Sequence, residues 1–205
     1  MKLFLALFLL MWISALQAAE NPVKRISAKE LSKGPLKLSA DETISKDHGR
    51  VIEAAGHVKV KYLMDNGDTL ESVSQFARYD RGQGLGEVWG GPDALWVSAD
   101  PTQPATRLLA QKIIINPMNS ELHASGKVSV IQTSSTLTAE NVSYSNEEKK
   151  ITAVGGRPEF TIIQDEHHTR ISAQIITAFT DTREIHFSEK VRGVVLLKND
   201  RSPVP

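Results

Sequence analysis

Apolar and polar residues alternate with a period of two along most of this chain. In the stretch VIEAAGHVKVKY, at positions 51–62, alternate positions carry Ile, Ala, Gly, Val, Val and Tyr, whereas Glu, His and Lys dominate the other set. Successive side chains of a strand point to opposite faces of its sheet, so this alternation predicts a half-buried antiparallel strand. No segment after the N-terminal region has a convincing helical period, and the chain is therefore predicted to be all-β.

The alternating pattern belongs to an internal repeat. The stretch SELHASGKVSVIQ, at positions 120–132, has nearly the same order of residue types as 51–62. Five copies align on one polar residue, which we call the marker of the repeat. The markers are Asp41, Gln75, Gln111, Glu140 and Gln174. Fifteen positions after the markers stand Gly56, Gly90, Gly126, Gly155 and, in the fifth copy, Glu189.

The glycines and the turn residues between repeats predict the shape of the sheet. A glycine inside a strand has no side chain to pack, so it predicts a bulge or a bend. Turn-forming residues, such as those at 65–68 and 116–119, predict hairpin connections. A repeat of this kind predicts one domain of stacked, short antiparallel strands in a curved sheet.

The N-terminal 19 residues have the layout of a secretory signal peptide, because Lys2 precedes an apolar run and small residues follow up to Ala19. We predict a cleaved signal at 1–19, a flexible lead-in at 20–35 with a short helical turn at 28–32, a β domain at 36–197 and a solvated tail at 198–205. A retained N-terminal anchor is the alternative. The formal net charge of zero argues against nucleic acid as a partner. The export signal and the neutral charge together predict a soluble periplasmic protein, and the lack of cysteine means that no disulfide stabilises it.

The repeat resembles the OstA-like repeat of the LptA family of periplasmic lipopolysaccharide-transport proteins. The resemblance is carried by LSADETISKDHGRVIEAAGHVKVKY at 38–62 and LLAQKIIINPMNSELHASGKVSVIQ at 108–132, and it extends over 36–197. It implies an antiparallel β-jellyroll of repeated strand pairs, open at both ends, whose apolar lumen carries the lipid A acyl chains of lipopolysaccharide. It also implies, as partners, the OstA-like domains of the inner-membrane and outer-membrane transport components. The family has no catalytic residues and uses no cofactor, so the chain is predicted not to be an enzyme.

The residues themselves also predict an apolar inner wall. Stacked repeats would join their apolar faces into one channel, and small Ala and Gly residues would leave space along it. The side chains predicted to line this lumen and to bind lipid are Ile52, Val58, Val60, Leu122, Val128, Val130, Phe160, Ile162 and Ile171. Open sheet edges at the two ends predict head-to-tail association of copies by strand addition.

Other candidate chemistry is weaker. The run QDEHHTR at 164–170 offers four metal-ligand types, but adjacent strand residues point in opposite directions, which favours an exposed hairpin tip over a metal site. No phosphate-binding loop and no G-x-S-x-G nucleophile motif is present. A basic cluster that includes Lys59 and Lys61 indicates either contacts with lipid A phosphates or an ordinary charged surface. Trp89 and Trp96 are predicted to pack in the core, with gating of the lumen as the alternative.

Two other function classes stay open at this point. One is a carbohydrate-active or lectin-like periplasmic β-solenoid, which would need convergent carboxylates or an aromatic platform along a groove. Aromatic residues make up only 6% of the chain, which is little for sugar stacking. The other is a scaffold without a ligand, whose interior would be fully packed.

Overall fold

The structure is a computed structural model that describes residues 26–27, 36–63, 69–116, 121–145, 147–164, 167–180, 182 and 184–197. Seventeen β-strands account for most of these residues, and no α-helix occurs among them. Within this part of the chain no helix is long and apolar enough to cross a membrane. The strands are β1 (Ile26–Ser27), β2 (Leu36–Ser39), β3 (Glu42–Lys46), β4 (Val51–Leu63), β5 (Thr69–Asp80), β6 (Leu85–Trp89), β7 (Asp93–Val97), β8 (Thr106–Leu109), β9 (Lys112–Asn116), β10 (Glu121–Gln132), β11 (Ser135–Ser145), β12 (Lys150–Val154), β13 (Glu159–Gln164), β14 (His167–Ser172), β15 (Ile175–Phe179), β16 (Ile185–Ser188) and β17 (Arg192–Leu197).

The strands form two walls, each a ladder of antiparallel pairs. The first wall runs β3-β4-β5-β6-β9-β10-β11-β12-β15-β16, and β1 pairs with β3 at its N-terminal edge. The second wall runs β2-β4-β5-β7-β8-β10-β11-β13-β14-β17. Four long strands, β4, β5, β10 and β11, contribute one half to each wall and so join the two. The predicted antiparallel all-β fold is confirmed.

Each repeat turns from one wall to the other at a corner formed by residues in the left-handed region. In β4 the register with β5 breaks after Ala55 and resumes at Val58, and Gly56 and His57 between them have φ of +74° and +45°. The prediction of a bulge or bend at the strand glycines is confirmed. Equivalent left-handed pairs lie at Gly90–Gly91, Gly126–Lys127, Gly155–Gly156 and Glu189–Lys190.

Each marker packs on its corner, which explains the fixed spacing of the repeat. The backbone N–H of Gln111 donates to the carbonyl of Gly126 at 3.0 Å. A Cβ added to Gly126 would stand 2.4 Å from Gln111 Oε1, so any larger residue there collides with the marker. The same backbone bond joins Asp41 to Gly56, Glu140 to Gly155 and Gln174 to Glu189.

The fifth corner accommodates a side chain where the others have glycine. Glu189 has a φ of +61°. With its amide oriented to satisfy both neighbours, Gln174 donates to the Glu189 carboxylate at 2.5 Å and accepts from Lys190 Nζ at 3.0 Å. The side chain at this corner therefore bonds to its marker instead of overlapping it.

Buried residues of both walls pack between them. The larger of two apolar clusters contains residues of both walls. Its members include Ile113, Val142 and Ile176 of the first wall and Trp96 and Leu137 of the second wall. The smaller cluster lies towards the N-terminal strands, and its buried members are Ala40, Ala54, Val58 and Ala77. The fold is thus two facing sheets joined along a line of corners.

Several sequence-based expectations concern the ends and the last hairpin. Strand β1 falls within the segment predicted as a flexible lead-in, and it pairs with β3 through Ile26 and Thr43. The predicted signal at 1–19, the helical turn at 28–32 and the tail at 198–205 lie outside the described residues. The hairpin predicted at QDEHHTR is formed by β13 and β14, but His167 and His168 lie inside β14 rather than at the tip.

Candidate functional site: the inner faces of the two walls

A row of inward-facing residues crosses the whole first wall. The cross-strand register aligns these residues one strand after another, and all are apolar or small except the first, which is a threonine. We call them the first-wall row. From β3 to β16 the row consists of Thr43, Ala54, Ala77, Val88, Ile113, Ala124, Val142, Ala153, Ile176 and Phe187.

A matching row crosses the second wall, and we call it the second-wall row. It contains five Leu, Ile or Phe residues and a single hydroxyl-bearing side chain, Ser72. From β2 to β17 the row consists of Leu38, Val60, Ser72, Ala94, Leu108, Val130, Leu137, Phe160, Ile171 and Gly193.

The structure places all nine predicted lining residues on these inner faces. Four of them belong to the second-wall row: Val60, Val130, Phe160 and Ile171. Two directly follow corners, namely Val58 and Val128. The other three lie two residues further from a corner than the rows, and these are Ile52, Leu122 and Ile162. The register fixes the face on which each side chain stands. Contact of these side chains with lipid stays a prediction.

The sequence reasoning missed nearly all of the first-wall row. Its residues occur at two fixed places in each repeat. One place is two positions after the marker, as in Ile113, and the other is two positions before the corner residue, as in Ala124. The repeat spacing was visible in the sequence, so counting from the markers would have found the complete row.

Burial is highest next to the corners and falls away from them in these strands. Val58 and Val128, which follow the corners of β4 and β10, are 0% and 1% exposed. Val60 and Val130, two residues further along the same strands, are only half-buried. The walls therefore pack tightly where they join, and the inner surface that a long apolar molecule could reach lies further from the corners.

Large side chains fill the interior between the middle strands. The buried side chains in this region include Trp96, Ile115, Leu137 and Tyr144. None of these residues stands directly next to a corner. Burial raises the pKa of the Tyr144 phenol far above its ordinary value, so this side chain is neutral at physiological pH. Large side chains therefore occupy this middle region, and space for lipid left by small residues elsewhere along the interior stays a prediction.

The two tryptophans of the β domain lie on opposite faces of the fold. Trp96 belongs to the buried cluster between the walls, as predicted. Trp89 instead pairs with Phe76 on the outer face of the first wall, where their rings stack with centroids 5.6 Å apart. The prediction of core packing is therefore wrong for Trp89.

Charged residues on the outer faces form cross-strand pairs. Arg107 on β8 donates through Nε and Nη2 to the two carboxylate oxygens of Asp93 on β7. These hydrogen bonds hold the pKa of the Asp93 carboxyl below its ordinary value. Lys61 of the predicted basic cluster likewise pairs with Glu71 on the neighbouring strand. Such pairing favours an ordinary charged surface over a phosphate site for Lys61.

The histidines and carboxylates do not assemble into a metal site in the described part of the chain. No group of three or more His, Cys, Asp or Glu side chains there could hold a metal ion. Asp41 and His57 do form a pair, with Oδ2 and Nδ1 2.7 Å apart, but it is exposed at the first corner. Asp165 and Glu166 of the QDEHHTR run lie outside the described residues.

The two walls end differently. Among the described strands, β2 and β17 are the terminal strands of the second wall and pair on one side only, with β4 and β14. Strand β17 is also apolar and solvent-exposed, since Val195 and Leu196 are each 59% exposed. In the first wall the terminal strands are β1 and β16, because β1 lies against the edge of β3.

These features define an open, two-walled antiparallel β fold with an apolar interior, and comparison with known proteins shows the same fold. No protein-family model matches the sequence, and no curated protein matches it. Among solved structures, the chain is similar to LptH from Pseudomonas aeruginosa, described as the LptA-homologous periplasmic component of that organism's lipopolysaccharide transport device. The TM-score is 0.53 at 17% sequence identity, over 63% of this chain and 95% of LptH. The chain therefore has an LptA-like fold.

Proposed function

We propose that this chain is a periplasmic component of lipopolysaccharide transport that holds lipid acyl chains between its two walls. The observation that carries the proposal is the alignment of inner apolar residues across all ten strands of each wall. At about 4.8 Å between neighbouring strands, each row extends for roughly 40 Å. An apolar track of this length suits a long acyl chain better than a compact polar ligand. The similarity of the fold to that of LptH supports the same proposal.

The distribution of polar groups supports a carrier rather than an enzyme. The two inner rows hold no titratable side chain. The charged pairs, such as Arg107 with Asp93, stand on the outer faces. A periplasmic location follows from the predicted signal at 1–19 and belongs to the proposal.

We include end-to-end association in the proposed function, because the terminal strands of the second wall are complementary in direction. Nine antiparallel pairings lead from β2 to β17, and because this number is odd the two strands run in opposite directions. A second copy in the same orientation could therefore add its β2 to β17 as an antiparallel neighbour. OstA-like domains of inner-membrane and outer-membrane transport components would use the same edges.

Charge placed on the β17 edge tests this association. We expect Leu196→Glu, in the same outward-facing row as Ile163, to lower the concentration-dependent mass of the protein measured by light scattering. Ile163→Glu is the matched control, since Ile163 is just as exposed but stands on β13, which has neighbours on both sides. An equal effect of both substitutions, or no self-association of the wild type, would argue against strand addition at this edge.

Photocrosslinking at neighbouring positions of one strand tests the lipid path. A photoreactive amino acid at Leu122 would face inwards, and one at His123 would face outwards. We expect crosslinks to lipopolysaccharide from position 122 and few from position 123. Equal yields at the two positions, or none at either, would refute the proposal.

One observation supports the lectin-like alternative. The stacked pair of Phe76 and Trp89 stands on the outer face, where it could support a sugar ring. Titration with lipid-free core oligosaccharide, followed by tryptophan fluorescence, would show binding under this alternative. Under the proposed function only the acylated form binds tightly.

A further inference from the structure

The N-terminal edge of the first wall is covered by a very short strand. Strand β1 has two residues, and it pairs with β3 through Ile26 opposite Thr43 and Ser27 opposite Glu42. On β3 itself, Thr43 is only 6% exposed. The second wall has no such cover among the described strands, since β2 pairs with β4 alone. The two walls therefore differ by one short strand at this end.

Strand direction makes β3, and not β1, the suitable neighbour for a further copy of the chain. Nine antiparallel pairings lead from β3 to β16, so these two strands run in opposite directions. Strand β1 is antiparallel to β3 and therefore runs in the same direction as β16. In a row of equally oriented copies, β16 of one copy would meet β3 of the next as an antiparallel neighbour, whereas it would meet β1 as a parallel one.

The spacing of the strands leads to the same result. The two walls share four long strands, so a further copy that adds to both walls must move as one body. Its β2 would lie one strand spacing, about 4.8 Å, from β17 in the second wall. With β1 kept in place, its β3 would lie two spacings, roughly 10 Å, from β16 in the first wall. A junction through both walls is in step only when β1 has left β3.

The register of the first-wall row specifies how β16 would fit the edge of β3. The row begins at Thr43 and ends at Phe187. If the row continues from one copy to the next, Phe187 stands opposite Thr43, and antiparallel counting then places Ser188 opposite Glu42. The four residues of β16 could all pair with the five of β3, whereas β1 offers only two. The exchange of β1 for β16 therefore gains backbone pairing.

We propose that the edge of β3 is a second docking surface for another copy of this chain, and that β1 covers this edge until β16 of that copy displaces it. A cover suits an edge strand, because free backbone N–H and C=O groups on an edge invite unwanted pairing. Two residue pairs supply few hydrogen bonds, each of modest net stability, so a longer strand can replace them. The inference rests on the end-to-end association in the proposed function, and it adds the second edge and its cover.

Disulfide crosslinking between copies tests the proposal, and the absence of cysteine from the chain makes the crosslink specific. Two single-cysteine variants, Glu42→Cys and Ser188→Cys, are mixed under mild oxidation, and both positions are exposed. A disulfide requires Cα atoms closer than about 7 Å, which directly paired strands provide and strands two spacings apart do not. We expect the disulfide-linked heterodimer in higher yield than either homodimer.

A second pair of variants reports the junction of the second wall. If the second-wall row continues from Gly193 of one copy to Leu38 of the next, Arg192 and Ser39 stand opposite each other, and both are exposed. Mixed Ser39→Cys and Arg192→Cys variants should therefore form a heterodimer as well.

The outcomes separate this inference from the proposed function. Crosslinks with the second-wall pair but not with the first-wall pair would overturn the inference and leave end-to-end association standing. A higher yield of Ser27→Cys with Ser188→Cys than of Glu42→Cys with Ser188→Cys would show that β1 stays at the junction, and would also overturn it. No crosslink at either wall would overturn the association together with the inference.

Weakening of β1 gives an independent measurement. Ile26→Gly lowers the strand propensity of β1, so we expect light scattering to show an association about two- to tenfold tighter than that of the wild type. Ile163→Gly, on a strand with neighbours on both sides, is the control and should leave the association unchanged. An association of Ile26→Gly that is unchanged or weaker would contradict the role of β1 as a cover.

Discussion

Substitution of a corner glycine tests the explanation of the repeat, and two glycines with the same φ form a matched pair. Gly126 and Gly91 both have a φ of +79°. A Cβ on Gly126 would meet Gln111 Oε1 at 2.4 Å and its Cβ at 2.7 Å, whereas a Cβ on Gly91 would meet nothing within 4 Å. Gly126→Ala and Gly91→Ala therefore share the backbone strain and differ in the collision.

The expected magnitudes follow from these two contributions. An L-residue in the left-handed region costs about 1–2 kcal/mol, and both variants bear this cost. Only Gly126→Ala must also displace Gln111, and forced repacking of this kind costs roughly 1–3 kcal/mol. The smaller entropy of the unfolded alanine chain affects both variants equally and cancels in the comparison. We expect Gly126→Ala to be less stable than Gly91→Ala by about 1–3 kcal/mol.

Equilibrium unfolding in urea, followed by far-ultraviolet circular dichroism, measures this difference. The slopes of the transitions should agree between the variants, so that the midpoints report stability alone. Equal losses in Gly126→Ala and Gly91→Ala would show that backbone strain, and not packing of the marker on the corner, requires glycine in the repeat.

Substitutions at three further positions test the interior and the surface. Val128→Asp, which buries a charge without a partner, should prevent folding or lipid binding, whereas Val128→Ala should cost about 2 kcal/mol in urea unfolding and leave a folded protein. Asp93→Asn should destabilise the protein slightly at neutral pH. Because Arg107 lowers the folded-state pKa of Asp93, the difference in stability from the wild type should vanish as the pH falls below the ordinary range of a carboxyl group. A difference that grows in acid would contradict the pairing. Lys61→Ala should change the free energy of unfolding by less than about 1 kcal/mol, because its pair with Glu71 is exposed, and a larger loss would point to another role for Lys61.

The alternation of side chains predicted the faces of β4 and β10, even though these strands pass between two walls. Ile52 and Val60 lie on opposite sides of the β4 corner, yet both face inwards. The corner inserts two residues opposite one partner residue, so even positions keep the inner face on both sides. Period-two patterning is therefore preserved through the bends of β4 and β10, whereas in their partners β5 and β11 a single residue faces the bulge and the inner face changes from odd to even positions or the reverse.

Other features depend on contacts between distant strands and could not be read from local pattern. Trp89 and Trp96 both follow alternating stretches, and only the pairing of β6 and β7 with β5 places one outside and the other inside. The buried Ser72 hydroxyl, which has no hydrogen-bond partner in the described part of the chain, is visible only when both neighbouring strands are known. The pairing of β1 with β3 joins two short segments that carry no distinctive signal.

Native mass spectrometry of the protein purified from the periplasm tests the central claim most directly. The account predicts a species heavier than the processed polypeptide by the mass of a lipopolysaccharide or lipid A molecule. That species should be lost in detergent and regained on addition of lipopolysaccharide. A polypeptide that carries no lipid and takes up none when lipopolysaccharide is added would contradict the claim that the inner faces hold acyl chains.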